Sequence, residues 1–468
     1  MVGTVTTHKE SKGPVKFQLI EEERKRREKA VVIVPVIASL SKPHNSSKST
    51  SVGRSDAARL EEAIGLAEAI DLDIVHSSLV YLKKPKPSTL MGSGKVEEFA
   101  RTISALDAGL VIVDHPLTPV QQQKLEEAWN AKVLDRTGLI LEIFGARAQT
   151  KEGRLQVELA HLNYQKGRLV RSWTHLERQR GGLSFVGGPG ETQIESDRRQ
   201  LQEKIGRLEN ELQKVSKTRQ LHRTRRQKVP HPVVALVGYT NAGKSTLFNK
   251  ITKADVMAED QLFATLDPTL RKINLPEGTR AIFSDTVGFI SDLPTHLIAA
   301  FRATLEEVVE ADLILHVRDI AQADSAAQAQ DVEEILAQLG IETGDSDKII
   351  EVWNKIDLVD RQLHDDEDTD GLELAQADIS KAPDYSSPIK TSEITGEGIS
   401  ELLREIEKRL SSSSQVVELK LDVDKMSALP WIYQNTHVIE RLDNDAGIIE
   451  MKVRVSARLK DELIRITI

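Results

Sequence analysis

One stretch, residues 232–248, constrains the fold of this 468-residue chain more than any other. It begins with the apolar run VVALV at 233–237, which predicts a fully buried parallel strand. The next eight residues, GYTNAGKS at 238–245, fit the pattern G-x-x-x-x-G-K-[ST], and a helix-forming segment follows. This pattern binds phosphate when a strand precedes it and a helix follows it. A chance match in an ordinary strand–turn–helix is the alternative at this point.

The residue types in the loop meet the needs of a bound triphosphate. Backbone N–H groups must curl around the phosphates, and a side chain at Gly238 or Gly243 would obstruct them. Lys244 supplies a positive charge for the β- and γ-phosphates, and Ser245 supplies a hydroxyl for Mg²⁺. The helix that starts there adds the positive end of its dipole. We therefore predict a site for a nucleoside triphosphate with Mg²⁺.

Two further motifs follow, each at the end of an apolar run. The first is D-x-x-G, in which Asp285 can hold Mg²⁺ through water and the N–H of Gly288 can reach the γ-phosphate. The second is N-K-x-D at 354–357. The carboxylate of Asp357 can accept hydrogen bonds from the N1–H and the 2-amino group of guanine, and adenine would leave it unpaired. The three motifs in this order predict a guanine-nucleotide site.

The segment between the first two motifs, residues 261–269, carries two threonines. A mobile loop there would bring a threonine to Mg²⁺ when the γ-phosphate is bound. We assign this role to Thr265 rather than Thr269, and a plain loop threonine is the alternative. Lys244, Thr265 and Gly288 are the candidate catalytic residues.

Composition excludes several classes of protein. The chain has no cysteine, which excludes disulfides and thiolate chemistry. The longest early apolar run, 31–38, contains Pro35 and is too short to span a bilayer. It follows a charged segment and no cleavage site follows it, so it is not a signal peptide. We expect a protein without a membrane span, whose net charge of −9 still allows a local basic face.

The order of periodic segments predicts five parts. Strands alternating with helices indicate a parallel α/β domain, and a purely helical pattern follows it. Four serines at 411–414 indicate a linker before the last domain. The predicted parts are a mobile tail (1–30), an α/β domain (31–135), a helical hairpin (136–228), the nucleotide domain (229–411) and a small α+β domain (412–468).

The predicted hairpin has a glycine-rich tip and a basic second helix. The tip begins at Gly182 and ends at Gly190, and the helix then runs to Lys228. From Asp197 to Lys228 there are eleven Lys and Arg residues against four Asp and Glu. A basic helix in an acidic chain indicates a nucleic-acid partner, and a solvated coiled-coil face is the alternative.

A second glycine loop, from Gly92 to Lys95, opens a helix in the α/β domain. Such a loop can hold a phosphate. It lacks the spacing of either nucleotide fingerprint, so we favour a loop that only caps the helix. A second nucleotide, as in an ATP-driven helicase, is the alternative.

The chain resembles the HflX family of translation-factor-related P-loop GTPases over nearly its whole length after residue 30. The segments outside the nucleotide domain distinguish this family from other GTPases. The similarity is carried by GYTNAGKSTLFN (238–249), LFATLDPT (262–269), DTVGFI (285–290), NKID (354–357), RTGLILEIFGARA (136–148), LQVELAHL (155–162) and GGPGETQIESDRR (187–199).

The resemblance implies a Ras-like GTPase domain behind an N-terminal α/β-plus-helical-hairpin domain, with a small C-terminal α+β domain. It also implies binding to the large (50S) ribosomal subunit and splitting or rescue of stalled ribosomes under stress. A GTP-gated RNA-binding module or scaffold without that activity is the alternative. We expect the hairpin tip and the basic helix to contact ribosomal RNA. We expect a free monomer in the cytoplasm, with peripheral membrane association allowed.

The resemblance also assigns residues to the site. Ser245 and Thr265 would ligate Mg²⁺. The last base-contacting motif is usually S-A, and here Ser392 is followed by Glu393, so we expect the contact from the backbone N–H and leave the Glu393 side chain open. The nucleotide, GTP or GDP, would contact Gly238, Asn241, Ala242, Gly243, Lys244, Ser245, Thr246, Phe263, Thr265, Asp285, Gly288, Asn354, Lys355, Asp357, Ser392 and Glu393.

The residue after D-x-x-G is a phenylalanine. In many GTPases a glutamine at this position orients the attacking water. Phe289 cannot hydrogen-bond a water, so we expect intrinsic hydrolysis of about 10⁻³ s⁻¹ or slower. We expect the ribosome to stimulate it.

Overall fold

The computed structural model describes residues 28–37, 54–179, 189–227, 231–253, 262–263, 265–291, 302–342, 347–359, 388–412, 414–443 and 448–467. Contacts within the chain divide it into two compact units. The first comprises Met1–Ser47, Ser55–Ile143 and Gly167–Phe185, and the second comprises Lys48–Arg54, Phe144–Lys166 and Val186–Ile468. Over the described ranges, no helix combines the length and the apolar character needed to cross a membrane.

The first unit contains a four-stranded parallel sheet. Its strand order is β2-β1-β3-β4, and eight of the nine residues of β1 are buried, as expected for a central strand covered on both faces. The strand begins at Lys29, two residues earlier than predicted. The elements are β1 (Lys29–Ile37), α1 (Asp56–Glu68), β2 (Asp73–Leu82), α2 (Ser93–Leu106), β3 (Leu110–Val113), α3 (Pro119–Trp129) and β4 (Lys132–Asp135).

The glycine loop in this unit forms the start of α2. Gly92 is the N-cap residue and makes no side-chain cap. The ammonium of Lys95 lies 2.8 Å from a carboxylate oxygen of Glu98, one helical turn further on. The loop begins a helix and its one cation is paired within that helix, and the preference for a loop that only caps the helix stays a prediction.

Three helices follow the first sheet: α4 (Arg136–Arg147), α5 (Lys151–Gln179) and α6 (Pro189–Gln227). Lys166 on α5 donates a hydrogen bond to Gln202 on α6. Most of the predicted glycine-rich tip lies outside the described residues. Helix α6 begins at Pro189, so the prediction that Gly190 belongs to the tip is wrong. Proline is favoured in the first turn of a helix because its missing N–H would be unpaired there anyway.

The second unit holds a six-stranded sheet with the order β10-β9-β8-β5-β7-β6. All neighbours are parallel except β6, which runs antiparallel to β7. Strand β6 is a half-exposed edge without an apolar run, and the sequence analysis missed it. The elements are β5 (Val233–Gly238), α7 (Lys244–Thr252), β6 (Thr269–Asn274), β7 (Arg280–Asp285), α8 (Arg302–Val309), β8 (Leu313–Asp319), α9 (Ser325–Gln338), β9 (Ile349–Asn354), β10 (Ile389–Lys390) and α10 (Ile399–Ser412).

This topology brings the three sequence motifs together. The parallel strands β5, β7 and β9 end at Gly238, Asp285 and Asn354, each the first residue of a motif. Carboxyl ends of parallel strands meet at one edge of a sheet, which is where open α/β sheets bind ligands. Their buried side chains form one core with α7 and α10, which fixes the three strand ends relative to one another.

A three-stranded antiparallel sheet of order β11-β13-β12 follows. Its core includes Leu421, Ile432, Val453 and Leu463. The elements are β11 (Ser414–Leu421), a 3₁₀ helix (Val423–Ala428), α11 (Leu429–Asn435), β12 (His437–Asp443), β13 (Ile449–Ser456) and α12 (Ala457–Thr467).

The predicted serine linker at 411–414 is wrong. Helix α10 continues through Ser412, and β11 begins at Ser414. Leu410 packs against the core of the six-stranded sheet, so the end of α10 is held by tertiary contacts. Such contacts override the weak helix propensity of serine.

Candidate nucleotide-binding site

The loop between β5 and α7 is enclosed by other parts of the protein. A Cβ on Gly238 would overlap the carbonyl oxygen of Val317. Gly243 has φ 86°, and a Cβ there would overlap Nδ2 of Asn354 and lie 2.8 Å from Oε1 of Glu393. The two glycines of the motif are therefore required by the packing of the protein itself, and not only by space for a phosphate.

The lysine of the loop is buried. Its side chain is 6% exposed, and its Nζ donates a hydrogen bond of 2.7 Å to the carbonyl oxygen of Tyr239. Burial lowers the pKa of Lys244 to about 8, Asp285 opposes that shift, and Lys355 adds to it. A phosphate beside this ammonium would supply the negative charge that favours its protonated form.

Three oxygen-bearing side chains converge next to this lysine. The hydroxyls of Ser245 and Thr265 lie 2.9 Å apart and donate to the same carboxylate oxygen of Asp285, at 2.7 and 2.9 Å. Asp285 is fully buried, and burial raises the pKa of its carboxyl against the opposing effects of these hydroxyls and Lys244. Thr269 lies in β6, opposite Asp285 in register. Of the two candidate threonines, the structure brings the hydroxyl of Thr265 to this group.

The segment after β7 lies directly against the phosphate loop. A Cβ on Gly288 would lie 2.8 Å from Cα of Thr240 and 3.0 Å from Nζ of Lys244. The N–H of Phe289 donates to the carbonyl of Gly238 at 3.1 Å, and the N–H of Thr240 donates to the carbonyl of Phe289 at 2.8 Å. The ring of Phe289 is buried. The position after D-x-x-G thus presents an aromatic ring turned into the protein.

The N-K-x-D motif is bonded to the phosphate loop. Nδ2 of Asn354 donates to the carbonyl of Ala242 at 3.0 Å, and its Oδ1 accepts from Thr391 at 3.2 Å. Nζ of Lys355 donates to the carbonyl of Asn241 at 2.8 Å. The bonds to Ala242 and Asn241 connect residues more than a hundred positions apart, so the two motifs are joined within the protein itself.

The carboxylate of Asp357 has one oxygen engaged and one free. Ser392 donates to Oδ1 at 2.7 Å, whereas Oδ2 has no hydrogen-bond partner among the described residues. Ser392 in turn accepts from the backbone N–H of Thr395 at 3.2 Å, which directs its own hydrogen towards Asp357. The side chain of Asp357 is therefore held in one orientation with Oδ2 available.

Two predicted contact residues behave differently from expectation. The side chain of Glu393 is 7% exposed and its Oε1 faces Gly243, so it lies beneath the phosphate loop. Burial raises the pKa of its carboxyl, and Lys355 and Asn354 oppose that shift. The ring of Phe263 is buried against Phe144, so the ring packs inside the protein and any nucleotide contact by Phe263 falls to its backbone.

Thr246 is exposed in the first turn of α7. Its position at the start of that helix is where the sequence analysis expected phosphate to bind.

Several residues of the site were not predicted from the sequence. The carboxylate of Asp319 pairs with the ammonium of Lys355 at 2.9 Å. Asp319 is the last residue of β8, and a polar residue at the carboxyl end of a buried parallel strand could have been predicted to lie at the site. The guanidinium of Arg54 lies 4.7 Å above the ring of Tyr239 and donates to Oγ of Ser291 at 3.0 Å. Nothing in the sequence pointed to Arg54.

Four family models match successive parts of the chain. Residues 57–145 match the GTP-binding GTPase N-terminal model, and residues 147–226 match the GTP-binding GTPase middle region. Residues 233–355 match a 50S ribosome-binding GTPase model, and residues 378–466 match the HflX C-terminal domain.

Individual proteins show the same similarity. The chain is 46% identical to GTPase HflX of Magnetococcus marinus over 412 residues, which cover 87% of this chain and 91% of that protein. It is 42% identical to GTPase HflX of Escherichia coli over 375 residues, covering 80% and 84%. A crystal structure of a GTP-binding protein from Sulfolobus solfataricus in complex with GDP is 21% identical, with a TM-score of 0.41, covering 82% of this chain and 98% of that one.

Proposed function

The chain belongs to the HflX family of GTP-binding, GTP-hydrolysing enzymes, and from that premise we propose that it binds the large ribosomal subunit and splits or rescues stalled ribosomes. The observation that carries the proposal is the match of residues 233–355 to a family model described as a 50S ribosome-binding GTPase. The proposal places the protein in the cytoplasm with these ribosomes.

In this proposal, Asp357 selects guanine. Asp357 is 9% exposed, and its buried Oδ2 has no hydrogen-bond partner within the described ranges, so Oδ2 can accept from the base. Asn354 and Lys355 hold the base-binding motif against the phosphate loop through Ala242 and Asn241. A purine without donors at N1 and C2 would leave a largely buried carboxylate unpaired, which disfavours adenine nucleotides.

In this proposal, Mg²⁺ binds the hydroxyls of Ser245 and Thr265, and Asp285 acts through a water. The donor set suits a hard cation because all three groups offer oxygen. Neighbouring ligands of an octahedral Mg²⁺ lie about 2.9 Å apart, and these two hydroxyls are 2.9 Å apart. Oδ1 of Asp285 has no hydrogen-bond partner among the residues described, so it can accept from a metal-bound water. When bound, Mg²⁺ offsets charge on the β- and γ-phosphates.

The phosphates are held by backbone N–H groups from Asn241 to Thr246 and by the ammonium of Lys244. Gly288 lies close enough to Lys244 that its N–H can reach a γ-phosphate at the same place. Phe289 offers no group to orient water, so the isolated protein hydrolyses GTP slowly and the ribosome accelerates the reaction.

The helical hairpin supplies the RNA contact in this proposal. The described part of α6 exposes six cations that can neutralise phosphates of ribosomal RNA. The predicted glycine-rich tip, residues 182–190, is a second RNA contact in this proposal, apart from its last two residues, which belong to α6. The exposed cations are Arg198, Arg199, Lys204, Arg207, Lys214 and Lys217.

Sedimentation with purified large subunits through a sucrose gradient tests the ribosome proposal. The protein should pellet with the subunits in the presence of a non-hydrolysable GTP analogue and much less with GDP. Light scattering on intact ribosomes then reports splitting. Pelleting without splitting would favour a GTP-gated RNA-binding module, and no pelleting in either nucleotide state would refute the ribosome proposal.

A charge-matched pair of variants tests the role of α6. The double substitution Lys214→Gln and Lys217→Gln should weaken pelleting and lower the slope of log affinity against log salt by about two. The control substitutes two acids of the same helix, Glu209→Gln and Glu211→Gln, and should not weaken pelleting. Equal loss in both pairs would show that α6 is only structural.

A further inference from the structure

The segment that carries Thr265 is anchored on one side by an aromatic contact. Phe263, two residues before Thr265, packs its ring edge-on against Phe144, with centroids 4.8 Å apart and planes at 85°. Phe263 adopts φ 58°, an unfavourable conformation for a side chain of this size, and its ring is 3% exposed. Burial of the ring against Phe144 offsets the cost of that backbone conformation.

The same segment is anchored on the other side by a carboxylate. Oδ2 of Asp267 accepts from the backbone N–H groups of Gln149 and Thr150, at 3.0 and 2.8 Å. Oδ1 accepts from the hydroxyl of Thr150 at 2.5 Å. That hydroxyl also accepts from the N–H of Gly153 at 3.0 Å, which makes Thr150 the cap of α5. Asp267 is thus built into the start of that helix by three hydrogen bonds.

Both anchors lie on the corner between α4 and α5, residues 144–153. Between them, the hydroxyl of Thr265 lies 2.9 Å from both Ser245 and Asp285. A loop that must be ordered to supply a ligand loses conformational entropy when it does so. Phe263 and Asp267 fix the chain two residues before and two residues after Thr265. This reduces the conformational entropy that the segment loses when Thr265 binds Mg²⁺.

We propose that Asp267 and Phe263 are positioning residues that hold Thr265 in the Mg²⁺-binding position by anchoring its segment to this corner. The inference rests on the proposed role of Thr265 as a Mg²⁺ ligand. By linkage, a partner that moves the start of α5 changes the affinity for GTP with Mg²⁺, and GTP with Mg²⁺ stabilises the start of α5 to the same extent. The stability of the start of α5, where the helical hairpin begins, therefore depends on whether GTP with Mg²⁺ is bound.

A pair of glycines in α5 offers a matched test. A Cβ on Gly153 would lie 2.6 Å from Oδ1 of Asp267, so Gly153→Ala requires that carboxylate to shift from its present position on Thr150. Gly167, in the same helix, has open space around the corresponding position. Both substitutions favour the helix as such, because alanine has the higher helix propensity. Any difference between them therefore reports crowding at the linked groups of Asp267 and Thr150, whose Oγ1 would lie 3.1 Å from the added Cβ.

The first readout is binding of a fluorescent non-hydrolysable GTP analogue at increasing Mg²⁺ concentration, with GDP in EDTA as the comparison. Gly153→Ala should weaken the Mg²⁺-dependent binding about fivefold or more, and Gly167→Ala should not. Binding of GDP without Mg²⁺ should stay within about twofold for both, since the guanine and phosphate contacts remain. Asp267→Ala should reproduce the effect of Gly153→Ala.

The second experiment tests whether Asp267 acts through Thr265, by measuring Mg²⁺-dependent binding in double variants. In a Thr265→Ala background, Asp267→Ala should add no further loss of Mg²⁺-dependent binding. Additive losses, or an equal loss of GDP binding in EDTA, would overturn the inference and assign Asp267 a general structural role. If Thr265→Ala alone has no effect, the Mg²⁺ assignment itself fails. If Asp267→Ala does not fold, Gly153→Ala takes its place: it is combined with Thr265→Ala, and the same comparison of Mg²⁺-dependent binding tests the inference.

Discussion

Substitution of Asp357 by asparagine should change the base that the protein prefers. Ser392 donates to Oδ1 and is itself an acceptor for the N–H of Thr395. Keeping this hydrogen bond from Ser392 requires an oxygen at the Oδ1 position of residue 357. In Asp357→Asn the amide oxygen must take that place, and the amide nitrogen replaces Oδ2 at the side left free for the base.

The magnitude follows from the hydrogen bonds that are exchanged. Hydrogen bonds to a charged group contribute about 1.5–3 kcal/mol each, and guanine would lose two. Affinity for GDP should fall by roughly 10²- to 10⁴-fold. Xanthine carries a carbonyl where guanine has its 2-amino group, so the amide can donate to it, and XDP should bind more tightly than GDP.

The assay is equilibrium competition of GDP and XDP against a fluorescent nucleotide. Ser392→Ala in the Asp357→Asn protein is the structural control, because it removes the bond that orients the amide. The ratio of XDP to GDP affinity should then fall several-fold. Binding of GDP within about threefold of the unsubstituted protein would refute the base assignment. An unchanged ratio in the double variant would refute the orientation argument.

The remaining predictions concern rate and stability. Phe289→Ala should leave single-turnover GTP hydrolysis within a few-fold, because the ring is turned into the protein, whereas Lys244→Ala should nearly abolish it. Burial lowers the pKa of His316 to about 4, helped by Arg318 and Lys244 and opposed by Glu351. The unfolded chain then binds the extra proton between about pH 6.5 and 4, so stability falls as pH falls through that window, by about 2 kcal/mol from pH 7 to 5. Hydrogen exchange in β8 should show that loss, and His316→Gln should reduce it; equal pH slopes would contradict the assignment.

The sequence by itself determined the nucleotide domain and its family. Each of the motifs at Gly238, Asp285 and Asn354 follows an apolar strand, and strands of this kind must lie side by side in a buried sheet. Their order along the chain therefore predicted one site at one sheet edge. The predicted fold class and the HflX resemblance are both confirmed, whereas the predicted domain boundaries stay predictions.

Tertiary structure alone decided which polar groups meet. The sequence favoured Thr265 over Thr269, and the structure shows why they differ: the hydroxyl of Thr265 meets Ser245 and Asp285, whereas Thr269 lies in β6, paired with β7. Asp267 reaches Thr150 across more than a hundred residues, and no local pattern encodes that contact. The serines at 411–414 were misread for the same reason, since local composition was overridden by packing. Periodicity reports which face of an element is buried, whereas the partner of a buried polar atom depends on residues brought near it by the fold.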